Sequence, residues 1–222
     1  VLENSGPAES AAACEAALAY RLYAVIPALA QAIVRTASAH SETIAQTILQ
    51  LTDQFYAELA GGQSAAAQSE LTALREKLTA ALEDAVRKFH RHRRPEVTEA
   101  FLVLAKKNNI TLWHVLTHPD EAAYNTLLHL LEHSQRGGVI RLLLGFLDDP
   151  QTPRAVLQVL ARRADAKYLE SLMRTLGPRP SKAATENLAR MEKLAWAPPQ
   201  SQVWRELSEE AQEAAVRAVM AS

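Results

Sequence analysis

Cysteine occurs once in the 222 residues, at Cys14, so an internal disulfide framework is excluded. A lone thiol suits a reducing compartment, and a cytoplasmic setting is expected. Glycine is scarce, at 7 residues, too few to punctuate many hairpins. Aromatics make up 5%, which disfavours a β sandwich or barrel. Net charge is nearly absent: Lys+Arg 24 against Asp+Glu 25 leaves -1. No global field therefore draws the chain to nucleic acid or an anionic membrane, and such a partner would need a local patch. A membrane-length apolar run is also missing. The most apolar stretch, 16–34, holds Arg21, Pro27 and Gln31, whereas a span needs about 20 mostly apolar residues. This stretch reads as a buried helix kinked at Pro27. The chain begins at Val1 rather than Met, as a piece of a longer protein would.

What is present is alanine and leucine at helical spacing, within a hydrophobic share of 48%. Leu18, Leu22, Val25 and Leu29 form one stripe. Ile44, Ile48, Leu51, Phe55 and Leu59 form a second, with Ser41 placed as its N-cap and Gly61-Gly62 as its end. A third seam runs through Leu71, Leu74, Leu78, Leu82, Ala85 and Phe89 to about Arg93, and Pro95 bounds it. The short connection at Gly61-Gly62 predicts an αα-hairpin of antiparallel neighbours, either free-standing or part of a small bundle with the first helices. Its seam resembles a short coiled coil, which suits dimerisation or docking as well as packing within the chain. The predicted organisation is an N-terminal long-helix region, 1–94, followed by a region of shorter helices, 95–222.

In the second region helices are expected over 96–108, 111–117, 121–134, 139–147, 153–163, 166–176, 181–196, 201–207 and 208–220. Asp120, Thr152, Asp165 and Ser181 are placed as N-caps, with Pro153 at a first helical position and Gly137-Gly138 as a chain break. Turns at Thr117-His118-Pro119, Asp148-Asp149-Pro150 and Gly177-Pro178 recur about thirty residues apart, a period that points to stacked helix pairs. Aligning the last two clear units matches Ile140 with Leu169, Leu143 with Leu172, Leu147 with Leu176, and Val159 with Leu188. One pair cannot bury both apolar faces, so such units are expected to stack.

These aspartate- and proline-bearing turns between Leu-rich helices resemble the HEAT-like repeats of the armadillo-type fold. The resemblance spans about 96–220 and is best over 139–196, and the turn after Leu176 lacks the paired aspartates. It implies an all-α chain: an N-terminal helical hairpin or bundle followed by a short right-handed α-α superhelix of HEAT-like pairs. It also implies a scaffold that binds a partner on a concave face or ridge, and it names no partner, because a fold does not fix a function.

Chemistry-bearing motifs are few. There is no P-loop, dinucleotide fingerprint or HExxH, and no histidine lies near Cys14 in sequence. No catalytic residue and no cofactor is assigned, and the chain is expected not to be an enzyme. His114 with His118, and His129 with His133, have the i,i+4 spacing of zinc ligands. Convergence of the four would make a metal site. Against it, His118 sits at a turn, and His129 and His133 fall on the wet side of an amphipathic helix. The one dense basic run is Lys88-Phe89-His90-Arg91-His92-Arg93-Arg94. Lys88, Arg91, Arg93 and Arg94 read either as a phosphate-binding patch or as cations that complement a helix C-terminus. Arg136, Arg162 and Arg163 fall near helix ends and carry the same two readings. Trp113 is expected to pack under its short helix, and Trp196 with Trp204 to staple the last units. The expected partner is a protein, with nucleic acid through the basic run as the alternative.

Overall fold

The computed structural model describes residues 7–35, 41–61, 64–177, 180–191 and 194–196. Its elements are helical, with no strand among the described residues. No described helix is long and apolar enough to cross a membrane. The predicted helix end at Gly62, the turn residue Pro178 and the helices over 201–207 and 208–220, together with Trp204, lie outside the described residues.

Helices α1 (Pro7–Ala19) and α2 (Ile26–Arg35) divide the apolar N-terminal stretch. The break lies upstream of Pro27. Arg21 takes a left-handed conformation, φ 52, and a 3-10 turn, Tyr23–Val25, leads into α2. Pro27 sits in the first turn of α2, where its missing N–H has no intrahelical partner to lose. The Arg21 and Tyr23 side chains both donate to Glu58 Oε1, at 2.9 and 2.6 Å.

The long helices are α3 (Ser41–Ala60) and α4 (Ala65–Arg87), with a short α5 (Phe89–His92) after a break at Lys88. The hairpin expected of α3 and α4 is not their main packing, since they meet only slightly. Helix α6 (Pro95–Leu104) packs against both, and so does α2, which leaves α3 and α4 diagonal with α2 and α6 between them. The cause is the composition of α6. Val97, Thr98 and every residue from Ala100 to Leu104 are buried, so it has no face to offer water and must be enclosed. The turn at Pro95 is therefore not a boundary between separate cores. One apolar cluster runs from Cys14 to Trp196.

Beyond α6 come α7 (Ile110–Thr117), α8 (Tyr124–His133), α9 (Gly137–Gly145) with a 3-10 extension (Phe146–Asp148), α10 (Arg154–Arg162), α11 (Ala166–Leu176) and α12 (Lys182–Ala189). Their packing follows an order. Helix α6 packs on α9, and α9 on α11; α8 packs on α6 and on α10; α12 packs on the extension of α9. All eight residues matched between the two units, including Ile140 with Leu169 and Val159 with Leu188, are buried.

Asp165 and Ser181 cap their helices as their positions predict, accepting from the N–H groups of Tyr168 (3.1 Å) and Ala184 (3.0 Å). Two other expected caps differ. The N-cap of α8 is Ala123, not Asp120, because a six-residue turn region intervenes. Thr152 turns its hydroxyl backward, donating to the Phe146 and Asp149 carbonyls and closing the turn, so Pro153 takes the N-cap position. Gly137-Gly138, expected to break the chain, forms the first turn of α9. A Cβ on Gly138 would lie 2.6 Å from the Val103 carbonyl oxygen, so only glycine lets α9 approach the end of α6 this closely.

Helix C-termini leave carbonyls without intrahelical donors, and here side chains from other segments supply the donors. The Arg75 guanidinium, from α4, caps Leu104 (2.8 and 2.6 Å) and Ala105 at the end of α6. Arg163 is buried and donates to the Leu131 (2.9 Å) and Ser134 (2.6 Å) carbonyls at the end of α8. It also pairs with Asp165 at 2.7 Å and lies over the Tyr168 ring. Asn187 of α12 donates to the Leu147 and Asp149 carbonyls, both at 2.8 Å. The Tyr168 hydroxyl (2.9 Å) and Trp196 Nε1 (3.3 Å) both reach the Leu160 carbonyl at the end of α10.

Three substitutions test this packing by urea denaturation. Gly138→Ala is expected to destabilise by roughly 1–3 kcal/mol, the usual cost of overpacking, although alanine ordinarily improves a helix. Gly145→Ala, whose Cβ would meet only Lys107 at 3.8 Å, is expected to be neutral or mildly stabilising. Arg163→Met leaves the Leu131 and Ser134 carbonyls without their donor and is expected to cost about 3 kcal/mol. A loss under about 0.5 kcal/mol would show that these caps are replaceable by water.

Candidate functional site

The basic run divides in two. Lys88 pairs with Asp84 at 2.7 Å, one turn back on α4. Arg94 donates to Ser41 Oγ through Nε (3.1 Å) and Nη2 (2.6 Å), with Glu42 at 3.9 Å, and so ties the start of α6 to the first turn of α3. Phe89 is buried. Only His90, Arg91 and Arg93 of the run are exposed. Arg93 has φ 50 at the C-cap of α5, a left-handed position that favours glycine. Of the four cations assigned to one patch, Lys88 and Arg94 have partners within the chain, while Arg91 and Arg93 face solvent.

His92 has both ring nitrogens engaged. Nε2–H donates to the Ala85 carbonyl at 3.0 Å, and Nδ1 accepts the Arg94 amide at 3.0 Å. This arrangement requires the neutral ring. Burial holds its pKa below the ordinary histidine value, and Arg94 and His90 act in the same direction, against the Ala85 hydrogen bond and Glu96.

The histidine pairs stay local. The rings of His114 and His118 are 4.2 Å apart, with His114 Nε2 against Glu121 Oε1 at 2.8 Å and His118 Nδ1 against the His114 carbonyl at 2.8 Å. His129 and His133 stack at 4.4 Å. Among the described residues no group of three His, Cys, Asp or Glu side chains comes together as a metal-ligand set. Trp113 is half-buried, with its indole N–H on the Lys107 carbonyl at 2.6 Å and its ring edge-to-face with Phe146.

Arg136 is not a surface cation. It pairs with Asp53 of α3 and with Glu99 of α6 at 3.1 Å. Glu99 also accepts from Ser134 Oγ at 2.6 Å. Burial raises the Glu99 carboxyl above the usual carboxylate range. Arg162 is exposed, on a cleft beside α10 that it shares with Arg154 and Arg190.

Sequence reasoning missed a second cleft, of about 370 Å³, where α9 and α11 run side by side near the C-terminal end of α3. Arg141, Lys167 and Arg174 border it, Ile140 and Leu144 line it, and Tyr56 lies at the α3 end. The Arg141 guanidinium lies 5.3 Å over the Tyr56 ring. Its members are scattered over more than one hundred positions, so no local run marks it. The one available signal is an exposed cation on each of two helices whose other faces are leucine. Compared with known protein families, curated proteins and solved structures, the chain finds no match.

His92 sets a pH dependence. Because its folded pKa is depressed, the unfolded chain takes up the proton first as pH falls below about 6.5. Stability should then drop until pH passes below the folded value. Glu99, with its folded pKa raised, acts oppositely at lower pH, gaining stability as pH falls through its folded value. In wild type minus His92→Gln, unfolding free energy against pH is expected to show the loss setting in below about 6.5 and none above it. A flat difference would mean that the ring is not held neutral.

Proposed function

We propose that the protein is a non-enzymatic scaffold or adaptor whose HEAT-like helix pairs, following a right-handed α-α superhelix, bind a protein partner. The observation that carries this reading is the packing order: α6, α9 and α11 neighbour one another in turn, and α8 neighbours α10. Growth by addition of this kind leaves a groove wherever two successive helices run side by side on the surface. The cleft between α9 and α11 is such a groove. The long N-terminal helices support the same reading, since they wrap α6 and so end the stack on that side with a polar outer surface, as a terminal unit requires.

Nucleic acid binding through the basic run has less support, because Lys88 and Arg94 are committed to Asp84 and to Ser41 with Glu42. Affinity capture from an extract of the native organism is expected to recover protein partners whose retention resists nuclease. The unmodified protein is expected to give no gel shift at low salt. Nuclease-sensitive capture, together with a shift abolished by charge reversal at Arg91 and Arg93, would replace the scaffold reading with nucleic acid binding.

A further inference from the structure

We infer that the arginine cleft beside α10 is the docking site of the chain's own acidic C-terminal segment, 201–220. The inference concerns the chain alone and does not depend on which partner the scaffold binds. The cleft holds about 390 Å³ and is lined by Arg154, Gln158 and Arg162 of α10 and by Arg190 and Met191 just past α12. No carboxylate is among the described residues that line it. Arg154, Gln158 and Arg162 are exposed and fall four residues apart, so they form one line along α10. Leu157 and Ala161 are buried and Met191 is half-buried, so the attraction that the cleft offers is ionic.

The packing order leaves this place open. Helix α8 packs on α10, whereas α12 packs chiefly on the 3-10 extension of α9. The flank of α10 that comes next along the stack is therefore the cleft, and a stack needs a unit that ends it. The cations there keep donors to share. Arg162 pairs with no other described residue. Arg190 engages the Pro150 carbonyl (3.3 Å) and Asn187 Oδ1 (3.0 Å) through one terminal nitrogen, which leaves Nε and the second terminal nitrogen to donate.

Tether and charge select the occupant. Trp196 is buried with its indole N–H on the Leu160 carbonyl, and the Ala195 N–H donates to the Ala161 carbonyl at 2.8 Å. The chain is thus fixed at the C-terminal end of α10, at the edge of the cleft, where the following residues begin. Those residues carry Glu206, Glu209, Glu210 and Glu213 against Arg205 and Arg217, four carboxylates within eight positions. At the helical rise expected over 201–207 and 208–220 the carboxylates span about 10 Å, and Arg154 and Arg162 stand about 12 Å apart along α10. Glu206 follows Trp196 by ten residues. Ten residues reach roughly 33 Å when extended, well beyond the length of α10. Single surface ion pairs are weak, and the tether offsets this by holding the carboxylates at an effective concentration on the order of millimolar. A free anion lacks that advantage. A line of cations also suits a row of carboxylates better than one phosphate, which needs donors that converge on a point.

Hydrogen exchange on the full chain tests the inference, read at the amides of 209–216. A helix this short is marginal in water on its own, so slow exchange there reports docking. Wild type should exchange these amides about tenfold more slowly than a variant with Glu209→Lys, Glu210→Lys and Glu213→Lys, and about tenfold more slowly than one with Arg154→Glu and Arg162→Glu. Combining both sets of reversals should restore slow exchange, which weakening of either helix alone would not do. Salt at about 0.5 M should abolish the protection. Arg91→Glu with Arg93→Glu should leave it unchanged. The lysine reversals alter no described residue, and they open a second measurement. A labelled peptide of residues 201–222 should bind that variant about tenfold more tightly than wild type, whose cleft is already filled. Exchange within about twofold across wild type and both reversed variants, or no restoration in the combined variant, overturns the inference. Equal binding of the peptide to both proteins overturns it, and so does protection that fades on dilution, which would assign the docking to a second copy.

Discussion

The carbonyls at the C-terminal ends of the helices are the constraint around which the second half of the molecule is arranged. A buried carbonyl without a donor costs about as much as a lost hydrogen bond. Short helices present that problem often, because each one ends after two or three turns. Here the donors are side chains from elsewhere in the chain: Arg75 for α6, Arg163 for α8, Asn187 for the extension of α9, Tyr168 and Trp196 for α10. Three of these four helix ends are capped from further along the chain. Apolar burial brings the helices together, and this capping fixes how one sits against another.

Charge follows from that arrangement. Arg75, Arg94, Arg136 and Arg163 are drawn inward to carbonyls, hydroxyls or carboxylates. The cations that remain outward on α9 and α11 border a groove, although Lys167 and Arg141 also reach backbone carbonyls. A count of arginines therefore says little about binding in this chain. What matters is which guanidinium groups the fold has already used, and a nearly neutral composition can still present a cationic rim.

The site region was only partly legible in sequence. The basic run around Arg91 is visible as a run, but its split into internally paired Lys88 and Arg94 and solvent-facing Arg91 and Arg93 depends on Ser41 and Asp84. Those contacts are set by the placement of α3 beside α6. Histidine spacing showed the two i,i+4 pairs, and the structure keeps each pair to itself. Gly138 was read as a chain break because glycine is a common stop signal, whereas its function is close approach to Val103 on another helix.

The sequence by itself determined that the chain is helical, where most helices begin, and which leucines face inward. Those properties repeat every three or four residues or depend on a cap three residues away, as Asp165 and Ser181 show. Tertiary structure decided that α6 separates α3 from α4, which arginines are spent on helix ends, and that α9 and α11 enclose a groove. The reason is range. A helix satisfies its interior hydrogen bonds within four residues, but its last carbonyls and its apolar face must find partners wherever the chain returns, and no local pattern encodes that distance.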